Sequence, residues 1–210
     1  MPEAIVVHRP AGHADRLVML HHGVGLEASS LVPLGRRLAA EFPTALVVSV
    51  PAAFDSDLGR GRQWFSVRGV DDGNRLQRVA HALPHYLETV RGVQHAHGMD
   101  ADRTWLVGFS QGAILSLEAA RAGHRLAARI ASLGGRFAEL PVQWPPGIAV
   151  HFLHGTEDAV IDVQQAPLGA ARVRELGGSA SVDILQGEGH AIPPAMEDLL
   201  VRRLREPPPA

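Results

Sequence analysis

The chain has 210 residues, of which 46% are hydrophobic, and a formal net charge of −2 at pH 7. That length suits one domain with an ample core, and a near-neutral balance with no concentrated basic block excludes a nucleic-acid-binding surface. Cysteine is absent, which excludes a disulfide framework, a thiolate nucleophile and a Cys-ligated metal. All 20 basic residues are Arg, a compositional bias rather than a binding signal. Met1-Pro-Glu-Ala lacks the basic stretch and apolar core of a secretion signal, and no apolar run reaches membrane-spanning length. A cytoplasmic protein without integral membrane association is expected.

Residues 4–8 read as a short edge strand, closed by Pro10 and Gly12. Residues 17–20 read as a second strand that runs into His21-His22-Gly23-Val24-Gly25. Ser29 or Ser30 is expected to cap a helix reaching Phe42 and stopped by Pro43. Residues 45–50 form a β-branched run, the pattern of a strand buried on both faces. Residues 52–69 are irregular, rich in Gly and Arg, and hold Trp64 and Phe65. Asp71 or Asp72 should open a long helix through His97, kinked or split by Pro84.

Residues 105–107 predict a buried strand, followed by Gly108-Phe109-Ser110-Gln111-Gly112 and a helix over 113–122. A G-x-S-x-G between strand and helix lifts the serine clear of the sheet at a strained turn. It also places the hydroxyl at the positive end of a helix dipole. The alternative is a Gly-rich turn whose Ser110 caps the helix. Next come a strand over 129–133, a Pro-rich loop over 137–147, and a strand over 148–153 that leads into His154-Gly-Thr-Glu-Asp158. A helix over 167–176, a strand over 181–185, the segment Gly187-Glu-Gly-His190 and a helix over 194–205 complete the chain. Residues 1–206 are expected to form one domain, with 207–210 as a disordered Pro-rich tail.

This alternation of strand and helix argues an α/β fold, a mostly parallel sheet with helices on both faces and no large lid domain. Ser110, Asp158, His190 and the loop after residue 20 all follow strands, so all four fall on the rim where such sheets bind ligands. Ser, then Asp, then His is the chain order of the α/β-hydrolase triad. Ser110 is the candidate nucleophile, His190 its base and then acid, and Asp158 the group that orients His190. Asp162 is the runner-up for the acid, ahead of Glu157 and Asp183. The N–H of Gln111 and one from the His22–Val24 loop, taken as that of Val24, are the candidate oxyanion donors. His21 and His22, weighed as metal ligands with His151 and His154, point to opposite faces of a strand, which suits one metal poorly. No metal is expected. Trp64 and Phe65 are candidates either for core or for a substrate-pocket wall.

Leu20-His-His-Gly-Val-Gly25, Gln63-Trp-Phe65, Gly108-Phe-Ser-Gln-Gly-Ala113, His154-Gly-Thr-Glu-Asp158 and Gly187-Glu-Gly-His190 together resemble the phospholipase/carboxylesterase family. That family includes bacterial serine esterases and acyl-protein thioesterases. The resemblance implies a cofactor-free, lidless α/β hydrolase acting on carboxylic esters or thioesters of small molecules. It assigns Ser110, Asp158 and His190 as the triad, Val24 and Gln111 as oxyanion donors, and Trp64 as pocket wall. It is compatible with a homodimer. Leu26-Glu27 and Ser66 stand where members commonly carry Asp, so acyl-protein thioesterase activity is not carried over. A small-ester hydrolase for short-to-medium acyl chains is expected. The same triad could serve another acyl transfer, or the fold a non-catalytic binding module.

Overall fold

The computed structural model describes residues 3–71 and 73–207. The chain opens with strands β1 (Ile5–His8) and β2 (Arg16–His21). A one-turn 3-10 helix (Ala28–Leu31) and α1 (Val32–Glu41) lead to β3 (Ala45–Val50). A short hairpin follows, β4 (Phe54–Asp55) with β5 (Arg62–Gln63). Then come α2 (Arg75–Ala96), β6 (Thr104–Phe109), α3 (Gln111–Arg121) and β7 (Arg129–Leu133). The last elements are β8 (Ala149–Gly155), α4 (Gln165–Glu175), β9 (Ser179–Leu185) and α5 (Pro194–Arg205).

Seven strands form one sheet in the order β1-β3-β2-β6-β7-β8-β9. All pairs are parallel except β1 with β3. The chain winds outward from β2 to β3, then returns through α2 to lay β6 on the other side of β2. At that switch point the loops leaving adjacent strands diverge and open a crevice. His21 is paired with Gly108 there, so the loop after β2 and the Ser110 turn start side by side.

The continuous apolar runs are explained by burial on both faces. Along β2, Leu17 and Met19 join the cluster under α2, α3 and α4, whereas Val18 and Leu20 join the cluster under α1 and α5. β3 divides in the same way, Leu46, Val48 and Val50 to one side and Ala45 and Val47 to the other. Among the described residues no helix is long and apolar enough to cross a membrane.

Several local expectations change. The segment after the β2 loop begins as a 3-10 turn, with the Glu27 N–H donating to Ser30 Oγ at 3.2 Å; α1 starts only at Val32, with Pro33 in its first turn. The irregular stretch 52–69 contains the β4–β5 hairpin. α2 begins at Arg75, after Asp71 and Asn74 exchange side-chain-to-backbone hydrogen bonds; Asp72 lies outside the described residues. Pro84 does not split α2, which runs unbroken through it. An interior proline costs about 3 kcal/mol. The buried face of α2, with Val79, Leu83, Tyr86, Leu87 and Val90, offsets this at about 1.5–3 kcal/mol per large side chain. Of the expected tail, residues 208–210 lie outside the described residues.

Candidate active site

Ser110 sits between β6 and α3 with φ 52° and ψ −115°, and is the one non-glycine residue with positive φ among those described. Such a conformation costs on the order of 1–3 kcal/mol and persists only where its surroundings enforce it. Here close packing enforces it. A Cβ at Gly108 would lie 2.4 Å from the Ala113 nitrogen, and one at Gly112 would lie 2.2 Å from the His21 carbonyl oxygen. Both glycines of the G-x-S-x-G are therefore required by sterics alone.

Three loops converge on this serine. His190 Nε2 lies 2.9 Å from Ser110 Oγ, and its Nδ1–H donates to Asp158 Oδ2 at 2.7 Å. The Asp158 side chain is 1% exposed and that of His190 18%. The Phe109 ring packs against His190 with centroids 5.0 Å apart. The turns carrying Asp158 and His190 are joined directly: the N–H of Thr156 donates to the Leu185 carbonyl and that of Glu157 to the Glu188 carbonyl, both at 2.9 Å. Burial works to raise the Asp158 carboxyl, but the N–H of Ile161, the His190 ring and the N–H of Val160 outweigh it and hold the group below its usual value.

The other acids considered are engaged elsewhere. Asp162 accepts the Gln164 N–H at 2.9 Å, and Asp183 pairs with Arg203 at 2.7 Å. Glu157 is exposed.

The loop after β2 is held by two ring systems. His22 Nδ1–H donates to the Gly23 carbonyl at 2.7 Å, while Nε2 accepts the Ala52 N–H at 3.0 Å. These bonds require the neutral Nδ1–H tautomer, and burial, the largest influence, keeps His22 below its ordinary pKa. The indole of Trp64 donates to the His22 carbonyl at 2.9 Å. Neither Val24 nor Gln111 has a hydrogen-bond acceptor for its backbone N–H among the described residues.

Trp64 is 1% exposed and packs against His21, His22 and Tyr86. It is thus a core residue that also borders a cavity of about 550 Å³, shared with Phe54, Phe65, Arg78, His81 and Ala82. Ser110 and His190 are not part of that lining. The Gln111 side chain connects the two regions: its Oε1 accepts the Trp64 N–H at 3.0 Å and its Nε2 donates to the Phe65 carbonyl at 2.8 Å.

Two contributors escape sequence reading. Gly134, at the end of β7, has φ 54°, and a Cβ there would lie 3.4 Å from His190 Nδ1 and 3.5 Å from Asp158 Oδ2. Gly134-Gly135 directly after a predicted strand was the available signal. The ring of His22, read from sequence only as a metal-ligand candidate, ties the loop to Ala52. The His21 ring lies against Tyr86 at 5.0 Å between centroids, and both His21 and His22 pack against Trp64. No cluster of three or more His, Asp or Glu suited to a metal occurs among the described residues.

The family profile described as Phospholipase/Carboxylesterase matches residues 2–201. Esterase YpfH of Escherichia coli (strain K12) is 42% identical over 187 residues, covering 89% of this chain and 81% of that protein. Among solved structures, esterase PE8 superposes with a TM-score of 0.82 at 27% identity, covering 97% of this chain and 96% of PE8. A carboxylesterase from Mesorhizobium loti shares the fold, with a TM-score of 0.76 at 23% identity over 92% of this chain and 90% of that one.

Proposed function

The chain belongs to the phospholipase/carboxylesterase family, and we propose that this carboxylic ester hydrolase cleaves short-to-medium acyl esters of small molecules through Ser110, His190 and Asp158. The observation that carries the proposal is one imidazole within hydrogen-bond reach of both a strained serine hydroxyl and a buried carboxylate, at 2.9 and 2.7 Å.

In this reading His190 Nε2 takes the Ser110 proton as Oγ attacks the acyl carbon. The tetrahedral oxyanion accepts from the Val24 and Gln111 N–H groups, each such donor supplying about 3 kcal/mol. His190 then protonates the departing alkoxide or thiolate, leaving an acyl-Ser110 ester. Water, deprotonated by His190, attacks that ester and releases the acid. Asp158 stays ionised throughout, holding the Nδ1–H tautomer and stabilising the imidazolium. Its depressed pKa supports that role. Trp64 fixes the oxyanion loop through the His22 carbonyl and, with Phe65, lines the adjoining cavity, which we assign to the substrate. We also assign residues 1–206 to one domain acting in the cytoplasm.

The test is covalent. Wild type exposed to a fluorophosphonate should gain one adduct by intact mass, and Ser110→Ala none. Turnover of p-nitrophenyl esters and matched thioesters of increasing chain length then sets the substrate range. Hydrolysis by Ser110→Ala above about a thousandth of the wild-type rate would overturn the assignment.

A further inference from the structure

The cavity between the β4–β5 hairpin and the start of α2 has two unlike sides. Trp64, Phe65 and Ala82 are buried and give it an apolar floor, and the exposed Phe54 ring closes one edge. Gln77, Arg78 and His81 of α2, with Asn74 just before it, supply a polar rim. Its volume, about 550 Å³, suits a small molecule. Among the described residues no Asp or Glu lines it, so Arg78 is the one permanent charge in its wall. Arg78 Nη1 donates to the Ser66 carbonyl at 3.1 Å and Nη2 to the Gly69 carbonyl at 3.4 Å. Two carbonyls orient a guanidinium without neutralising it, and three of its five N–H groups remain. No carboxylate among the described residues pairs with it. The Asp71 carboxylate is turned instead to the Asn74 N–H, at 2.9 Å.

We infer that the preferred substrates are esters carrying a carboxylate remote from the scissile carbonyl, with an apolar chain along Trp64 and Phe65 and the carboxylate on Arg78. The inference rests on the reading of Ser110, His190 and Asp158 as the triad and of this cavity as the substrate's. Ser110 and His190 do not line the cavity, yet its floor adjoins them. Gln111, next in the chain to Ser110, bonds the Trp64 N–H and the Phe65 carbonyl through its side chain. An ester held at Ser110 therefore has the cavity available for its remote part. A guanidinium takes a carboxylate through two parallel N–H···O bonds. A single permanent cation matches a monoanion better than a phosphate dianion, and an apolar floor strengthens the pair by excluding water. Arg78 thus acts in selection and touches no reacting atom.

The experiment measures kcat/KM for the mono-p-nitrophenyl ester of adipic acid and for its neutral carboxamide analogue, at low and high salt. Wild type, Arg78→Gln, Arg78→Lys and Ser110→Ala are compared, all full length. Wild type should favour the acid by about 10-fold or more at low salt, and salt should shrink that ratio. Arg78→Gln should bring the ratio to about one, and Arg78→Lys should keep part of the preference as a point charge. Because the ratio is internal to each variant, a partly destabilised variant still reports it. A second pair, the butyrate esters of 4-hydroxybenzoate and 4-hydroxybenzamide, moves the charge to the alcohol. A preference that Arg78→Gln abolishes supports the inference, and the pair that shows it identifies which side of the ester fills the cavity. A wild type with no preference for the acid in either pair, or a preference that survives Arg78→Gln, overturns it. Ser110→Ala separates the two levels. If it hydrolyses the carboxamide ester, the triad reading has failed; if it is inactive while wild type shows no preference, only the role of Arg78 falls.

Discussion

Lowering the pH from 8 to 5 should destabilise this fold by about 4 kcal/mol, and two buried histidines set that figure. The His21 ring is fully buried between Trp64 and Tyr86, and neither of its nitrogens has a hydrogen-bond partner in the described residues. Burial pushes it down to about 3. His151 Nδ1 bonds Ser181 Oγ at 2.8 Å while Nε2 has no partner among the described residues. Burial, and then the Arg129 and Arg203 guanidinium charges, push His151 down to about 4. Both imidazoles are therefore still essentially neutral in the native state at pH 5. In the unfolded chain each protonates near 6.5. Between pH 6.5 and 4 the unfolded state binds more protons, so stability is complete above that range and is lost as pH falls. The loss at pH 5 is about 1.5 pH units at 1.36 kcal/mol each, or about 2 kcal/mol per histidine. His22, depressed in the same direction, adds to it. Urea unfolding followed by far-UV circular dichroism at a series of pH values measures the slope. Replacing His21 by Phe removes one titrating group and two unsatisfied nitrogens, so this variant should lose about half the pH dependence without losing stability at pH 8. A total change below about 1.5 kcal/mol, or an unaltered slope in His21→Phe, would refute the reasoning.

Three further outcomes follow from the site. Ser110→Gly should abolish hydrolysis yet raise the unfolding free energy by about 1 kcal/mol, because glycine adopts φ 52° without strain; a Tm below that of wild type would contradict the strain. Gly134→Ala places a methyl 3.4 Å from His190 Nδ1 on a backbone at φ 54°; it should cost about 1 kcal/mol of stability and lower kcat more than it raises KM in steady-state kinetics. Gln111→Ala leaves the Trp64 N–H and the Phe65 carbonyl without their partner; at about 1–3 kcal/mol for each buried group left unpaired, it should depress Tm and redshift tryptophan emission as Trp64 loosens.

Much of the site is legible before folding, and the legible parts share a cause. The Ser110 turn can be recognised because one of its clashes is local: Gly108 meets Ala113 five residues on, whereas Gly112 meets the His21 carbonyl of a neighbouring strand. The rim location of Ser110, Asp158 and His190 follows from alternating strands and helices, since parallel strands put every strand-to-helix loop on one side. The expected split at Pro84 misses for the opposite reason. Helix-breaking is a local preference, and the buried face of α2 overrides it.

Asp158 and Asp162 shared one description in the sequence, both acidic and both in the turn region after a strand. Which of them meets His190 depends on a path fixed by the Thr156–Leu185 and Glu157–Glu188 hydrogen bonds, about thirty residues apart along the chain. The same holds for the adjacent pair His21 and His22. One ring is a solvent-free core group against Tyr86 and the other a strut for the loop after β2 through Ala52, and those two contacts distinguish them.

The amino-acid order by itself determined the α/β pattern, the strained Ser110 turn and the set of candidate residues on one rim, because sterics and side-chain periodicity travel with the backbone. Tertiary structure decided that Asp158 rather than the runner-up Asp162 meets His190, that His22 is a strut, and that Trp64 is buried while still bordering a cavity. Those choices depend on hydrogen bonds and burial between segments far apart in the chain, and such contacts exist only once the loops have closed.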